Sequence, residues 1–263
     1  MEKPPIFIVG CPRSGTTLVR VILDSHPNIC CGPETNLFGN IKEFKEKIFL
    51  YWPFLKMYEV EEKALDQKLK EIFLLFPENY MRIKKKSRWA EKTPKNIFFL
   101  DFIDKLFPEC QFINIIRDGR DVVSSYKQRW GRITIFSAIK EWNRSVDLTF
   151  EYRIRFSKER YLEIRYDDLV TEPESETKKM MVFLKEEWTP SLLEHHEMKH
   201  DFLHSYNKGK NINHKMEKKP LRHTPSQQIF SSSVGNWKNN LNFIEKLIVN
   251  LFLQKNLKRL RYK

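Results

Sequence analysis

The sequence predicts an α/β fold, a P-loop-like parallel β-sheet flanked by helices on both faces. Three observations carry that prediction. A short apolar run, Ile6 to Val9, leads into a Gly-bounded loop and then an amphipathic stretch with Leu18, Val19, Val21, Ile22 and Leu23. Such a pattern reads as strand, tight loop and helix. Short strand patterns then alternate with helical ones, which builds a parallel sheet covered on both sides. Three polar clusters, at residues 10–17, 117–125 and 166–168, each follow a predicted strand. Sites in such sheets lie at the carboxyl ends of the strands.

In chain order, Asp24-Ser25-His26-Pro27-Asn28 is rich in turn formers and stops the first helix. Residues 29–32 suit a short second strand. The aromatic stretch 41–58 reads as an amphipathic helix broken at Pro53, and 61–76 as another helix. A third strand ends at Lys92. Thr93-Pro94 is a helix-start signal, with Thr as cap and Pro at the first helical position. That helix should reach Leu106, where Phe107-Pro108 stops it. Residues 111–116 form a strand, 121–130 and 136–156 helices, 161–166 a strand and 173–185 a helix. Residues 190–233 are expected to form a lid or acceptor loop, since 199–233 is polar, basic and without periodicity. A last helix covers 243–257.

At 263 residues, one domain spanning 1–263 is expected, with a sizeable core. The 41% hydrophobic and 13% aromatic content excludes a disordered chain. The net charge of +13, from 47 basic and 34 acidic residues, favours an anionic ligand or surface without choosing one. Cys11, Cys30, Cys31 and Cys110 offer no C-x-x-C pair, and two are adjacent. Reduced structural thiols in a cytoplasmic chain fit best. No apolar run reaches transmembrane length, so the chain is expected to be soluble.

The loop after the first strand nearly matches G-x-x-x-x-G-K-[ST]. Gly10 and Gly15 fit, but Thr16 stands where the lysine belongs. The cation sits inside the loop instead, as Arg13. Backbone N–H groups and the helix N-terminus would grip one anion there. Arg117 at a strand end and Ser125 one turn into the next helix could grip another. Lys92 ends a strand beside Glu91. Glu34 could accept a proton if its surroundings tune it. His26 is the fallback base, although its setting suits a turn. Tyr166, also at a strand end, could stack a base. No convincing metal-ligand cluster is present.

These residues resemble a known family. Pro12-Arg13-Ser14-Gly15-Thr16-Thr17 resembles the 5′-phosphosulfate loop of sulfotransferases that use 3′-phosphoadenylyl sulfate (PAPS). Arg117 and Ser125 stand at the spacing with which that family holds the 3′-phosphate. Cys31-Gly32-Pro33-Glu34-Thr35 resembles the run that carries the catalytic Glu of tyrosylprotein sulfotransferases. Arg165-Tyr166-Asp167-Asp168-Leu169 resembles the family's Arg-Tyr-Glu-Asp-Leu stretch, whose Tyr lies by the adenine. Gly235-Asn236-Trp237-Lys238 resembles its late Gly-x-Trp-Lys. Two departures stand out. Pro94 replaces the His that is the base in cytosolic members, and Phe230-Ser231-Ser232 replaces an Arg-Lys-Gly that binds the 3′-phosphate.

The resemblance implies a metal-independent, PAPS-dependent enzyme. Arg13, Ser14, Gly15, Thr16 and Thr17 would bind the phosphosulfate, with Arg117, Ser125, Ser231 and Trp237 toward the 3′-phosphate and Tyr166 at the adenine. Glu34 would deprotonate an acceptor hydroxyl, and attack would be in line. Arg13 and Lys92 would stabilise the departing phosphate. The acceptor class stays open among glycan, peptide tyrosine and small molecule. No nucleic acid is expected as a partner, and a homodimer is compatible. The alternatives are a P-loop nucleotide kinase, against which Thr16 argues, and a non-catalytic basic protein that binds anions.

Overall fold

The computed structural model describes residues 3–201, 229 and 231–262. Five strands form one sheet: β1 (Ile6–Gly10), β2 (Ile29–Cys31), β3 (Arg88–Lys92), β4 (Gln111–Ile116) and β5 (Tyr161–Arg165). Their order is β2-β3-β1-β4-β5, and every pairing is parallel. Ile6 of β1 lies opposite Ala90 on one side and Gln111 on the other. From β1 the chain goes out to β2, returns through β3, and then crosses to β4 and β5. The winding therefore changes side at β1, and a crevice opens at the carboxyl ends of β1 and β4.

All five residues of β1 are buried, so both faces of the sheet must be covered. Side chains alternate across a strand, and the two faces receive different residues. Ile6 and Ile8 join Val19, Ile22 and Leu23 of α1 (Thr16–Asp24) and Met180 and Leu184 of α9 (Pro173–Leu184). Phe7 and Val9 point the other way. They join Phe38 of α2 (Leu37–Leu50), Phe73 of α4 (Glu62–Lys84), Ile103 of α5 (Leu100–Leu106), Trp89 and Phe112. A third cluster packs α6 (Gly119–Trp130) and α7 (Ile135–Arg155) against the last helix, Phe243–Arg259, through Val122, Trp142, Val249 and Leu253. The expected α/β class is thus observed.

Several element boundaries differ from expectation. The break in the aromatic stretch falls at Tyr51. Pro53 lies near the start of the short helix α3 (Trp52–Leu55), where it needs no N–H partner. The helix expected over 61–76 continues as α4 through Pro77 to Lys84. Proline removes one helical hydrogen bond there, but Leu69 and Phe73 before it are buried, and Tyr80 and Met81 after it pack on the same core. The helix expected from Pro94 begins as a 3-10 turn, Pro94–Phe99, before α5. Thr93 does not cap it. Its hydroxyl donates to Glu91 Oε1 at 2.6 Å. Most of the expected lid, residues 202–228 and 230, lies outside the described residues. Its first part, 190–201, contains two 3-10 turns, Pro190–Leu192 and His195–Glu197, with Leu192 and His195 buried.

All four cysteines are free and buried, as structural thiols should be. Among the described residues no helix is long and apolar enough to cross a membrane, and no group of three or more His, Cys, Asp or Glu side chains could hold a metal.

Glu91, at the end of β3, accepts from Thr93 Oγ1 and from Asn96 Nδ2, both at 2.6 Å. It ties the strand end to the turn that follows. Burial pushes its pKa from 4.5 up to about 7, against the pull of Thr93 and of Lys92. A carboxyl that binds its proton more tightly when folded stabilises the fold at low pH. Stability should therefore fall as pH rises from about 4.5 to about 7, by up to about 3 kcal/mol. Glu91→Gln keeps the shape without the charge. Its stability relative to wild type should climb across that window in urea melts run at several pH values, and a difference that does not vary with pH would refute the titration.

Candidate active site

The loop from Cys11 to Gly15 joins β1 to α1. Gly10 ends the strand with φ +148°, and a Cβ there would lie 2.6 Å from the Ile115 carbonyl oxygen of β4. Arg13 at φ +72° and Gly15 at φ +99° then curl the backbone. Ser14 N–H donates to the Cys11 carbonyl at 3.1 Å, while Leu18 and Val19 N–H donate to that of Gly15. No side chain caps α1. Its first amides are therefore available to an anion, at the positive end of the helix. Ser14 is fully buried, yet its Oγ has no partner. A buried hydroxyl without a partner is costly unless a ligand satisfies it.

Tyr166, the first residue of α8 (Tyr166–Thr171), lies against this loop. A Cβ on Gly15 would stand 2.2 Å from the tyrosine Cδ2, so the ring occupies space that only glycine leaves. The Arg117 guanidinium sits 4.2 Å from the Tyr166 ring centroid. It donates to the Arg13 carbonyl at 3.0 Å and to the Ser233 carbonyl at 2.8 Å. Its Nε is buried without a partner. Ser125 accepts from Arg13 Nε at 3.0 Å. Burial and the nearby charge of Arg117 lower the pKa of Arg13. Two arginines this close favour an anion between or beside them.

Glu34 and Lys92 come from neighbouring strand ends, since β2 pairs with β3. Lys92 lies opposite Ile8 of β1 and is buried. Its ammonium forms an ion pair with Glu34, whose side chain is 47% exposed. Glu34 does not cap the next helix. Thr35 Oγ1 accepts from Leu37 N–H at 3.3 Å instead. His26 is buried as a turn residue: Nδ1 accepts from Asn28 N–H at 3.1 Å and Nε2 donates to the Glu187 carbonyl at 2.9 Å. Both ring nitrogens are engaged, and burial lowers its pKa. That leaves the fallback base without a free lone pair.

Arg13, Ser14, Gly15, Arg117, Ser125 and Tyr166 thus form one contiguous cluster, with Thr16 and Thr17 opening α1 beside it. Ser231 is exposed, and Ser233 is the serine in contact, its Oγ 2.6 Å from the Tyr166 hydroxyl. Trp237, in α10 (Trp237–Asn240), lies over Arg120 at 4.4 Å. Three residues were missed by sequence reasoning. Asp118 grips Arg120 through both carboxylate oxygens. Asp121 accepts backbone N–H bonds from Gly235 and Trp237, both at 2.8 Å. Arg20, buried on α1, donates to the carbonyls of Cys31 at 3.1 Å, Gly32 at 2.8 Å and Asp201, and so steadies the strand end before Glu34. The run Arg117-Asp118-Gly119-Arg120-Asp121 marks a helix start, but nothing in it announces a partner more than a hundred residues away.

The sequence and the fold have counterparts. A family model described as "Sulfotransferase family" matches residues 4–190. The protein-tyrosine sulfotransferase of Drosophila melanogaster is 32% identical over 210 residues, covering 74% of this chain and 41% of that protein. Human protein-tyrosine sulfotransferase 1 is 32% identical over 211 residues, covering 75% and 55%. The chain therefore spans about half the length of the curated relatives it matches. Among solved structures, a sulfotransferase domain from the curacin biosynthetic pathway superposes with a TM-score of 0.67 at 20% identity, over 99% of this chain and 98% of that one. A mouse sulfotransferase complexed with PAP gives 0.55 at 15% identity, over 97% and 84%. These likenesses show a shared P-loop-like α/β fold. With the family model spanning the glycine loop, Glu34, Lys92 and the Arg117 turn, this chain belongs to the sulfotransferase family.

Proposed function

We propose that this chain transfers the sulfuryl group of PAPS to an acceptor hydroxyl. The observation that carries the proposal is Arg117, whose guanidinium touches the glycine loop, the Tyr166 ring and the 231–237 segment while its Nε stays buried without a partner. The unpartnered Ser14 Oγ and the closely approached Gly15 make the neighbouring loop fit a second anionic group. Two anion sites joined by an aromatic ring suit a nucleotide charged at both its 5′ and 3′ ends. A loop without the Walker lysine does not favour a nucleoside-triphosphate kinase.

Arg13, Ser14, Gly15, Thr16 and Thr17 would hold the phosphosulfate, Arg117 and Ser125 the 3′-phosphate, and Tyr166 the adenine side. When bound, PAPS supplies an electrophilic sulfur and a phosphate leaving group. Glu34 would take the proton of the acceptor hydroxyl, since it is exposed toward an incoming molecule. Lys92, paired with Glu34 and opposite Ile8 of β1, orients the carboxylate and places positive charge on the strand beside the loop. Arg13 adds a second cation. The curated relatives are named protein-tyrosine sulfotransferases, which favours a phenolic acceptor.

Calorimetric titration with 3′,5′-adenosine bisphosphate should show binding that needs the 3′-phosphate and ignores Mg²⁺. Arg117→Ala should weaken it by about tenfold or more, and adenosine 5′-phosphosulfate far less. Equal losses for both nucleotides would remove the assigned role. Glu34→Gln should lower turnover by about a hundredfold or more while nucleotide affinity stays nearly constant. Undiminished turnover in that variant would move the base to another group.

A further inference from the structure

Asp121 stands in the first turn of α6 and is 2% exposed. Its Oδ2 accepts from Gly235 N–H and its Oδ1 from Trp237 N–H. The neighbouring acid, Asp118, is taken up by Arg120, and Arg120 in turn stacks on the Trp237 ring. Two residues before Gly235, Ser233 meets Arg117 through its carbonyl and Tyr166 through its hydroxyl. The segment 233–237 is thus pinned at both ends, by Arg117 and Tyr166 at Ser233 and by Asp121 at Gly235 and Trp237.

A carboxylate suits this place for a specific reason. It presents only acceptors, and two backbone donors converge on it. Asparagine has the same outline but must turn its NH₂ toward one of those donors, losing a hydrogen bond and opposing two N–H dipoles. Burial raises the pKa of Asp121, while Arg117 and the two amides oppose that rise.

We propose that Asp121 is a positioning residue for the donor nucleotide, holding Ser233–Trp237 in register with Arg117 so that segment and guanidinium close on the 3′-phosphate together. The proposal rests on the nucleotide reading of the site. It answers the question left by Ser231-Ser232, where the chain has no cationic pair: the Ser233 hydroxyl, held beside Arg117 and Tyr166 by a segment that Asp121 fixes, completes the grip. Trp237 then serves as the anchor of the segment through its N–H and its ring.

Asp121→Asn should weaken 3′,5′-adenosine bisphosphate by about tenfold or more and 5′-AMP by less than about threefold. In turnover, the loss should fall on KM for PAPS and not on kcat. Equal weakening of both nucleotides would mean a merely structural role and would overturn the proposal, as would unchanged affinity for both. If the wild type shows no preference for the bisphosphate, the nucleotide reading itself falls. Should the variant not fold, amide exchange in the wild type decides: the bisphosphate should slow exchange at Gly235 and Trp237 and 5′-AMP should not. Equal response to both nucleotides would overturn the role of Asp121.

Discussion

Arg117 is the point where distant parts of the chain meet. One guanidinium reaches the glycine loop, the α8 tyrosine and the 231–237 segment. These groups are brought to one place by parallel pairing, because β1, β4 and β5 lie side by side and end on the same side of the sheet. The close approach of β1 to β4 in turn depends on Gly10, which has no Cβ to strike the Ile115 carbonyl. Backbone packing at one glycine therefore sets how near the loop and Arg117 can come.

The second half of the site follows from the other side of β1. β3 places Lys92 beside Ile8, and β2 places Glu34 within reach of Lys92. The buried ammonium and the half-exposed carboxylate are delivered by strand order alone. The two halves share no hydrogen bond between their key side chains. They share the strand that separates them. A sheet wound to both sides of β1 lets the arginine cluster around the glycine loop and the Glu34–Lys92 ion pair stand next to each other without merging.

Much of this was legible in the residues. The apolar run before Gly10, the missing lysine, and the spacing of Arg117 and Ser125 are local patterns, and local chemistry explains them. The proline positions misled because tertiary burial outweighs a single lost amide bond. α4 runs through Pro77 because buried Phe73 before it, and Tyr80 and Met81 after it, pack on one core. Long-range partners were not legible at all. Asp121 reads as an ordinary first-turn acid of a helix, and only the fold brings Gly235 and Trp237 to it. Arg20 carries no local signal of its role either, yet it is buried against strand-end carbonyls. Ser233, not Ser231, makes the contact, a two-residue offset that the spacing of the late Gly-x-Trp-Lys run could not resolve.

The hydrogen bond from Arg13 to Ser125 has a kinetic side. These two groups come from the glycine loop and from α6, and they satisfy each other. A ligand that engages both must exchange that bond for its own, and a departing one is replaced at once by a partner already tethered nearby, at an effective concentration no free competitor reaches. Affinity for any anion that takes both groups is thereby held below what the same donors would give if they stood apart. The bond thus sets a threshold on binding at Arg13 and keeps that one guanidinium nitrogen partnered whenever no anion takes its place.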